Sequence, residues 1–267
     1  TSPYFRKLYD RYLPGWANEP ELLVRIDGIP DTEIWEAHWN AKKALIDEVN
    51  KRTGVGMDYE SLTIGFARRM TAYKRATLVL SDLEMLKKIN RRGKIQLIFA
   101  GKSHPNDGAG KQLIRDIFKN IEILRKEIKI VFLENYDMDL AAKMVSGVDL
   151  WLNTPTRPYE ASGTSGMKAA HNGVVNFSVL DGWWIEGWIE GVTGWAIGPQ
   201  PEEKLSEEEA KAAELSDLYN KLYYIIVPMY YDRKDEWVKL INNSIGMIAY
   251  YFNSHRMMRR YVTHAYL

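Results

Sequence analysis

Glu160-Ala161-Ser162-Gly163-Thr164-Ser165-Gly166-Met167-Lys168 gathers an acid, three hydroxyls, two glycines and a lysine into one short stretch. Glycine lets backbone N–H groups approach an anion closely, and a helix opening here would aim its positive dipole end at the same point. An apolar-periodic segment, Met167, Ala169 and Ala170, starts in this place. A lysine one turn in can bond covalently to a carbonyl cofactor whose phosphate rests on the loop. The nucleotide P-loop spacing G-x-x-x-x-G-K-[ST] is absent. Gly-Thr-Ser-Gly also reads as an ordinary turn ahead of an N-capped helix.

A second cluster, Arg68-Arg69-Met70-Thr71-Ala72-Tyr73-Lys74-Arg75, follows the apolar run Leu62–Phe66 and holds four cations in eight residues. Such a cluster suits a dianion; a solvated basic helix start is the alternative. Gly101-Lys102-Ser103-His104-Pro105 follows a further apolar run in the same manner. His38, His104, His171 and His264 are scattered and form no H-E-x-x-H spacing, so no metal is assigned.

The elements that must carry these clusters alternate. Residues 1–60 read as a helical connecting segment, broken at Pro14-Gly15, with Asp31 as the N-cap of a long helix ended by Gly54 and Gly56. Strands are expected at 62–66, 95–100, 128–133, 148–152 and 174–180, and helices at 72–89, 110–125, 139–145 and from Lys168. Continuous apolar strands between amphipathic helices imply an α/β fold with a Rossmann-like parallel sheet covered on both faces. The polar clusters at 67–75, 101–106, 134–137 and 154–168 all follow strands, so they should meet at one rim, where ligands of such sheets bind. The expected division is a connecting segment at 1–60, a Rossmann-like cofactor- and phosphate-binding domain at 61–230 and closing helices at 231–267. Residues 201–212 read as acidic and solvated, 217–231 and 234–267 as helices, the latter with Trp237, Leu240, Ile241, Ile245, Ile248, Tyr251 and Phe252 on one apolar stripe.

Composition sets the outer bounds. The 267 residues are 46% hydrophobic and 27% charged, enough for one large or two small cores. A net charge of +1 gives no global field toward nucleic acid or an anionic membrane. The chain has no cysteine, which excludes disulfides, zinc–thiolate sites and cysteine nucleophiles and fits a reducing, cytoplasmic setting. It has no apolar run of ~18 residues, and its first residues show no signal-peptide pattern, so a soluble chain is expected. Nine Trp and sixteen Tyr are many, and aromatic rings both fill cores and stack on sugars. The chain opens on Thr1, so a piece of something longer is expected.

Together the blocks resemble the α-glucan phosphorylases, the glycogen, starch and maltodextrin enzymes. The resemblance rests on Arg69…Tyr73-Lys74-Arg75, Ala100-Gly101-Lys102, Val131 to Tyr136, Glu160 to Lys168, Asn172-Gly173 and Leu180-Asp181-Gly182, in matching order across most of 60–190. Leu180 to Gly187 resembles the short archaeal and bacterial branch. The resemblance implies the C-terminal half of a GT-B-type two-domain glycosyltransferase. It implies pyridoxal 5′-phosphate on Lys168 as a Schiff base, with the amides of Thr164, Ser165 and Gly166 on its phosphate and Tyr136 packed beside it. Arg68 stands where animal and plant members commonly carry a lysine that contacts that phosphate. Arg69 and Lys74 would bind the substrate phosphate, making Arg69, Lys74 and Lys168 the catalytic set. Tyr73, Glu160, Ser162 and Gly163 would contact the glucosyl unit. Asp137 and Thr71 depart from an arginine and a histidine usual at those places.

The implied reaction is phosphorolysis of an α-1,4-glucan by inorganic phosphate to α-glucose 1-phosphate, in a homodimer, with the isolated piece inactive for want of the preceding domain. A nucleotide-sugar glycosyltransferase of the same architecture and a non-catalytic glucan-binding domain, with Trp183, Trp184, Trp188 and Trp195 as its platform, are the alternatives. For those tryptophans, packing at a domain interface is the simpler expectation.

Overall fold

Period-two alternation inside apolar runs sends successive side chains to opposite faces of a strand. Leu62, Ile64 and Phe66 therefore face one way and Ala67 the other, and the same split recurs in Leu97 and Phe99 against Ile98 and Ala100. Both sets are buried, so both faces of the sheet are covered. A computed structural model describes residues 1–266. Its sheet has six strands: β1 (Leu62–Ala67), β2 (Ile95–Ala100), β3 (Lys129–Leu133), β4 (Leu150–Asn153), β5 (Val175–Val179) and β6 (Gly194–Ile197). All neighbours pair in parallel, in the order β3-β2-β1-β4-β5-β6. The fold is thus the Rossmann-like α/β sheet expected.

One face carries α1 (Pro3–Tyr12) and the C-terminal helices: Phe5, Leu23, Ile34, Phe177, Trp195, Trp237 and Ile241 share a core with β1 and β2. The other is covered by α2 (Asp31–Thr53), which brings Leu45, Ile46 and Val49 to Trp151, Met144 and Ala169. Asp31 is the first residue of α2, after Pro30, and not its cap; its carboxylate still sits in the first turn, where the dipole favours it. Gly54, at φ +66°, ends the helix as expected.

Three expected helices, at 72–89, 217–231 and 234–267, change shape. The run 72–89 is not one helix. It divides into 3₁₀ turns at Ala72–Lys74 and Leu78–Leu80 and then α3 (Leu83–Arg92), capped by Asp82. Arg75, left-handed at φ +46°, ends the first turn because its guanidinium is bound by the carbonyls of Thr154 and Pro155 at 2.9 and 2.7 Å. α4 (Gly108–Leu124), α5 (Met138–Gly147), α6 (Thr164–Ala170) and the short α7 (Trp184–Gly187) follow. α8 (Glu207–Lys221) starts inside the acidic stretch, where Ser206 and Glu209 form a capping box. α8 runs through a π-helical turn at Leu222–Ile226 into α9 (Val227–Asp232). α10 (Lys234–Asn243) passes into a π-helical turn at Ser244–Ala249, and α11 (Ser254–Tyr261) starts anew with Asn253 as its cap. The stripe is buried from Trp237 to Ile248, and Tyr251 and Phe252 beyond it are half-buried. Leu267, where the expected closing helix ends, lies outside the described residues. No helix among the described residues is long and apolar enough to cross a membrane.

A charged cluster lies under the amino ends of the strands. Asp149, just before β4, accepts from Lys42 Nζ at 2.6 Å, from the Thr63 N–H at 2.7 Å and from His38 Nε2 at 2.9 Å. Lys42 also donates to the Ser61 carbonyl and the Tyr230 hydroxyl, both at 2.8 Å. Burial opposes the Asp149 charge, but Lys42 and His38 outweigh it and hold the carboxyl below its ordinary value. The cluster pins α2 to the sheet.

Candidate active site

In a sheet of order 3-2-1-4-5-6 the connections from β1 and β4 leave in opposite directions, and a crevice opens beyond their carboxyl ends. Arg68 is the first residue past β1, and Asn153 is the last of β4. The Arg68 Nη1 donates to Glu160 Oε2 at 2.8 Å and to Asn153 Oδ1, and its Nη2 donates to Ser165 Oγ at 3.2 Å. Lys74 Nζ donates to the same Glu160 oxygen. Arg68, Lys74 and Glu160 are 9, 8 and 6% exposed. Burial works against the Glu160 charge, yet the Lys74 hydrogen bond and the Arg68 charge hold its carboxyl below the ordinary value. Two cations against one carboxylate leave a net positive charge, half sunk at the crevice floor.

The surrounding loop is shaped by two glycines. Gly163, at φ +92°, sits directly before α6, where no side chain caps the helix. Gly182, at φ +57°, passes so close that a Cβ would lie 2.5 Å from the Ser162 carbonyl oxygen and 2.8 Å from that of Glu160. The Trp183 N–H donates to the Ser162 carbonyl, and the Glu160 N–H to Asp181, each at 2.9 Å. Burial pushes the Asp181 carboxyl up, against the N–H groups of Glu160 and Gly182 that it accepts from. The Trp183 indole lies beneath the loop: Cβ atoms at 163 and 166 would come 3.2 and 2.7 Å from it.

Lys168 is exposed on α6, facing solvent and not the hydrophobic interior, and its Nζ has no partner among the described residues. Ser165 precedes it by three positions, so the two share a helix face. Arg69 is likewise exposed with no ion partner among the described residues. The Tyr73 ring lies 4.6 Å from Lys74 Nζ and 6.4 Å from the ring of Tyr159. The Thr71 hydroxyl beside them is buried without a partner among the described residues. Tyr136, half-buried, has its phenol pushed up by burial, with the charge of Arg68 opposing. Asp137 serves its helix instead, capping α5 by accepting from the Leu140 N–H at 2.8 Å. The structure thus brings Arg68, Lys74, Glu160, Ser165 and Tyr73 together, with Tyr136 within reach of the Arg68 field. Ser162, Gly163, Thr164 and Gly166 form the loop wall leading into α6; Lys168 stands exposed on that helix, and Arg69 stands exposed in the segment after β1.

Residues 11–193 match the family model described as carbohydrate phosphorylase. The chain belongs to that family. It is 44% identical over 279 residues to maltodextrin phosphorylase of Thermococcus litoralis, a match covering 98% of this chain and 33% of that protein. It is 39% identical over 289 residues to glycogen phosphorylase of Aquifex aeolicus, covering 98% of this chain and 41% of the other. With glycogen phosphorylase of Mycobacterium tuberculosis it is 35% identical over 272 residues, 93% and 31% of the two chains. The chain therefore spans about a third to two fifths of the length of these curated relatives.

Three residues of this phosphorylase-family site carry no motif in the sequence. Asn153 and Ser178 are register partners at the ends of β4 and β5, joined by an Nδ2–Oγ hydrogen bond of 3.0 Å. Trp151 donates its indole N–H to Ser165 Oγ at 3.3 Å. The available signal was a polar residue closing an otherwise apolar strand at the switch point. The tryptophans pack within the chain's own core, not at a surface left for another domain: Trp183, Trp184 and Trp195 are buried, Trp183 and Trp184 in a cluster with Ala170 and Leu180, and Trp188 is half-buried.

Proposed function

We propose that this chain is the cofactor- and phosphate-binding half of an α-glucan phosphorylase, which cleaves an α-1,4-glucan with inorganic phosphate to give α-glucose 1-phosphate. The observation that carries the reading is the donor set: Arg68 and Lys74 sunk at the switch point, sharing one carboxylate, beside a helix that presents Lys168 to solvent. Cations in excess of anions, an orphaned Thr71 hydroxyl and an uncapped helix start fit phosphate groups better than a neutral ligand.

The residues fit pyridoxal 5′-phosphate. Lys168 would hold its aldehyde carbon, and Arg68, Ser165 and the amides of Thr164 and Gly166 would hold its phosphate, with Tyr136 alongside. When bound, the group supplies a phosphate that exchanges a proton with inorganic phosphate. Arg69 and Lys74 would grip the substrate phosphate and offset charge as it develops. Glu160, with its Oε2 on Arg68 and Lys74, keeps Oε1 to accept a sugar hydroxyl, with Tyr73, Ser162 and Gly163 as the adjoining wall. Trp183 and the Gly182 turn keep that wall in place. The further length of the relatives would complete the cleft, so this chain alone should bind without turnover.

The test is reductive trapping. Pyridoxal 5′-phosphate added to the protein and reduced with borohydride should label the peptide containing Lys168, and Lys168→Ala should abolish the label. A label spread over surface lysines, or unchanged in Lys168→Ala, would overturn the reading.

A further inference from the structure

The five N–H groups of Arg68 can be counted. Both Nη1 protons are used, on Asn153 and Glu160, and one Nη2 proton is used on Ser165. The second Nη2 proton and the Nε proton have no partner among the described residues. Ser165 is equally constrained. Its Oγ accepts from Arg68 Nη2 at 3.2 Å and from Trp151 Nε1 at 3.3 Å, which occupies both lone pairs. What remains to Ser165 is its proton, which it can only give. The uncommitted groups of Arg68 and Ser165 are all donors, as an anion requires.

Asn153 fixes this arrangement. It is 4% exposed, and its two ends are assigned by different partners: Oδ1 accepts from Arg68, while Nδ2 donates to Ser178 Oγ, which passes its own proton to the Val179 carbonyl at 2.9 Å. The amide cannot turn over without losing both bonds. We infer that Asn153 and Trp151 are positioning residues for an anion seat: Asn153 sets the plane of the Arg68 fork, and Trp151 forces Ser165 to donate. The inference rests on the proposed pyridoxal 5′-phosphate reading and assigns the seat to that cofactor's phosphate group. Arginine in place of a lysine makes such a bracket necessary, because a planar fork must be aimed and a point charge need not be.

The experiment compares pyridoxal 5′-phosphate with pyridoxal, which lacks the phosphate, by absorbance titration of the whole protein. The wild type should prefer the phosphorylated form. Asn153→Leu should reduce that preference about tenfold, the size expected for a misaimed charged hydrogen bond, with pyridoxal affinity unchanged. Trp151→Phe, which keeps the ring and should fold even if the first variant does not, should reduce it about threefold. An unchanged preference in Trp151→Phe, or in a folded Asn153→Leu, would overturn the inference and leave the cofactor reading standing. A wild type that binds both forms alike would sink both.

Discussion

Asp149 and Glu160 stand beyond opposite ends of β4, and each is a carboxylate held by two basic side chains. At Asp149 every proton of Lys42 is placed, on Asp149, the Ser61 carbonyl and the Tyr230 hydroxyl, and Asp149, Lys42 and His38 are fully buried. At Glu160 the count does not close: Arg68 keeps two N–H groups, and Arg69 and Lys168 stand nearby without ion partners among the described residues. The same charge types therefore build a rivet at one end of the strands and an open seat at the other. On the proposed reading, what separates structure from function is donor capacity left open to the crevice, not the presence of a buried ion pair; the unpartnered His38 Nδ1 of the Asp149 cluster is sealed in the interior.

The largest effect should come from the rivet. Asp149→Ala strands Lys42 in the interior and should cost about 3–5 kcal/mol in denaturant unfolding. Glu160→Gln should cost markedly less, since its cations reach the crevice and can be met by water. Equal losses would break the distinction. A second, more specific test adds inorganic phosphate. It should raise the thermal midpoint of Glu160→Gln more than that of the wild type, because the internal counter-ion no longer competes. At a hundredfold excess over its own Kd, phosphate should stabilise the variant by about 2.7 kcal/mol in all. Asp149→Asn should show no such enhancement.

Acidity separates the clusters further. Both carboxyls are held below their ordinary values, so each contributes stability that is present above the ordinary carboxylate range and is lost as pH falls through the depressed folded value. Stability should fall in acid, and Asp149→Asn should flatten that fall more than Glu160→Gln, as read from denaturant midpoints across an acid pH series. The smallest effect belongs to Thr71. Thr71→Val removes a buried hydroxyl with no partner among the described residues, so stability should move by less than about 1 kcal/mol. Phosphate binding, by titration, should weaken.

The distinction also explains what the sequence could reveal. β1 to β5 were legible because fully buried parallel strands are continuous apolar runs, and the rim followed from their shared direction. β6 was not: Gly194-Trp195-Ala196-Ile197 is four residues long and lies in a stretch rich in tryptophan and glycine, where strand and core packing look alike. The break in 72–89 was hidden because Leu78, Val79 and Leu80 are all buried, so no amphipathic period marks it, and its cause is the long-range grip on Arg75. The basic and glycine-rich motifs pointed to the proposed seat. Asn153 and Trp151 did not, since a polar atom at the end of one strand gains meaning only from the loop that folds over it. Lys42 was equally silent, a lysine on a helix whose burial depends on Asp149 far along the chain.

The indole of Trp183 lies under both Gly163 and Gly166, so the three residues share one fixed volume. That trio behaves as a shim: its thickness sets the height at which the loop rides above the sheet. Among relatives, a bulkier residue at either glycine should be matched by a slimmer one in place of the indole, and a chain that changed one without the other would tilt the wall that carries Lys168.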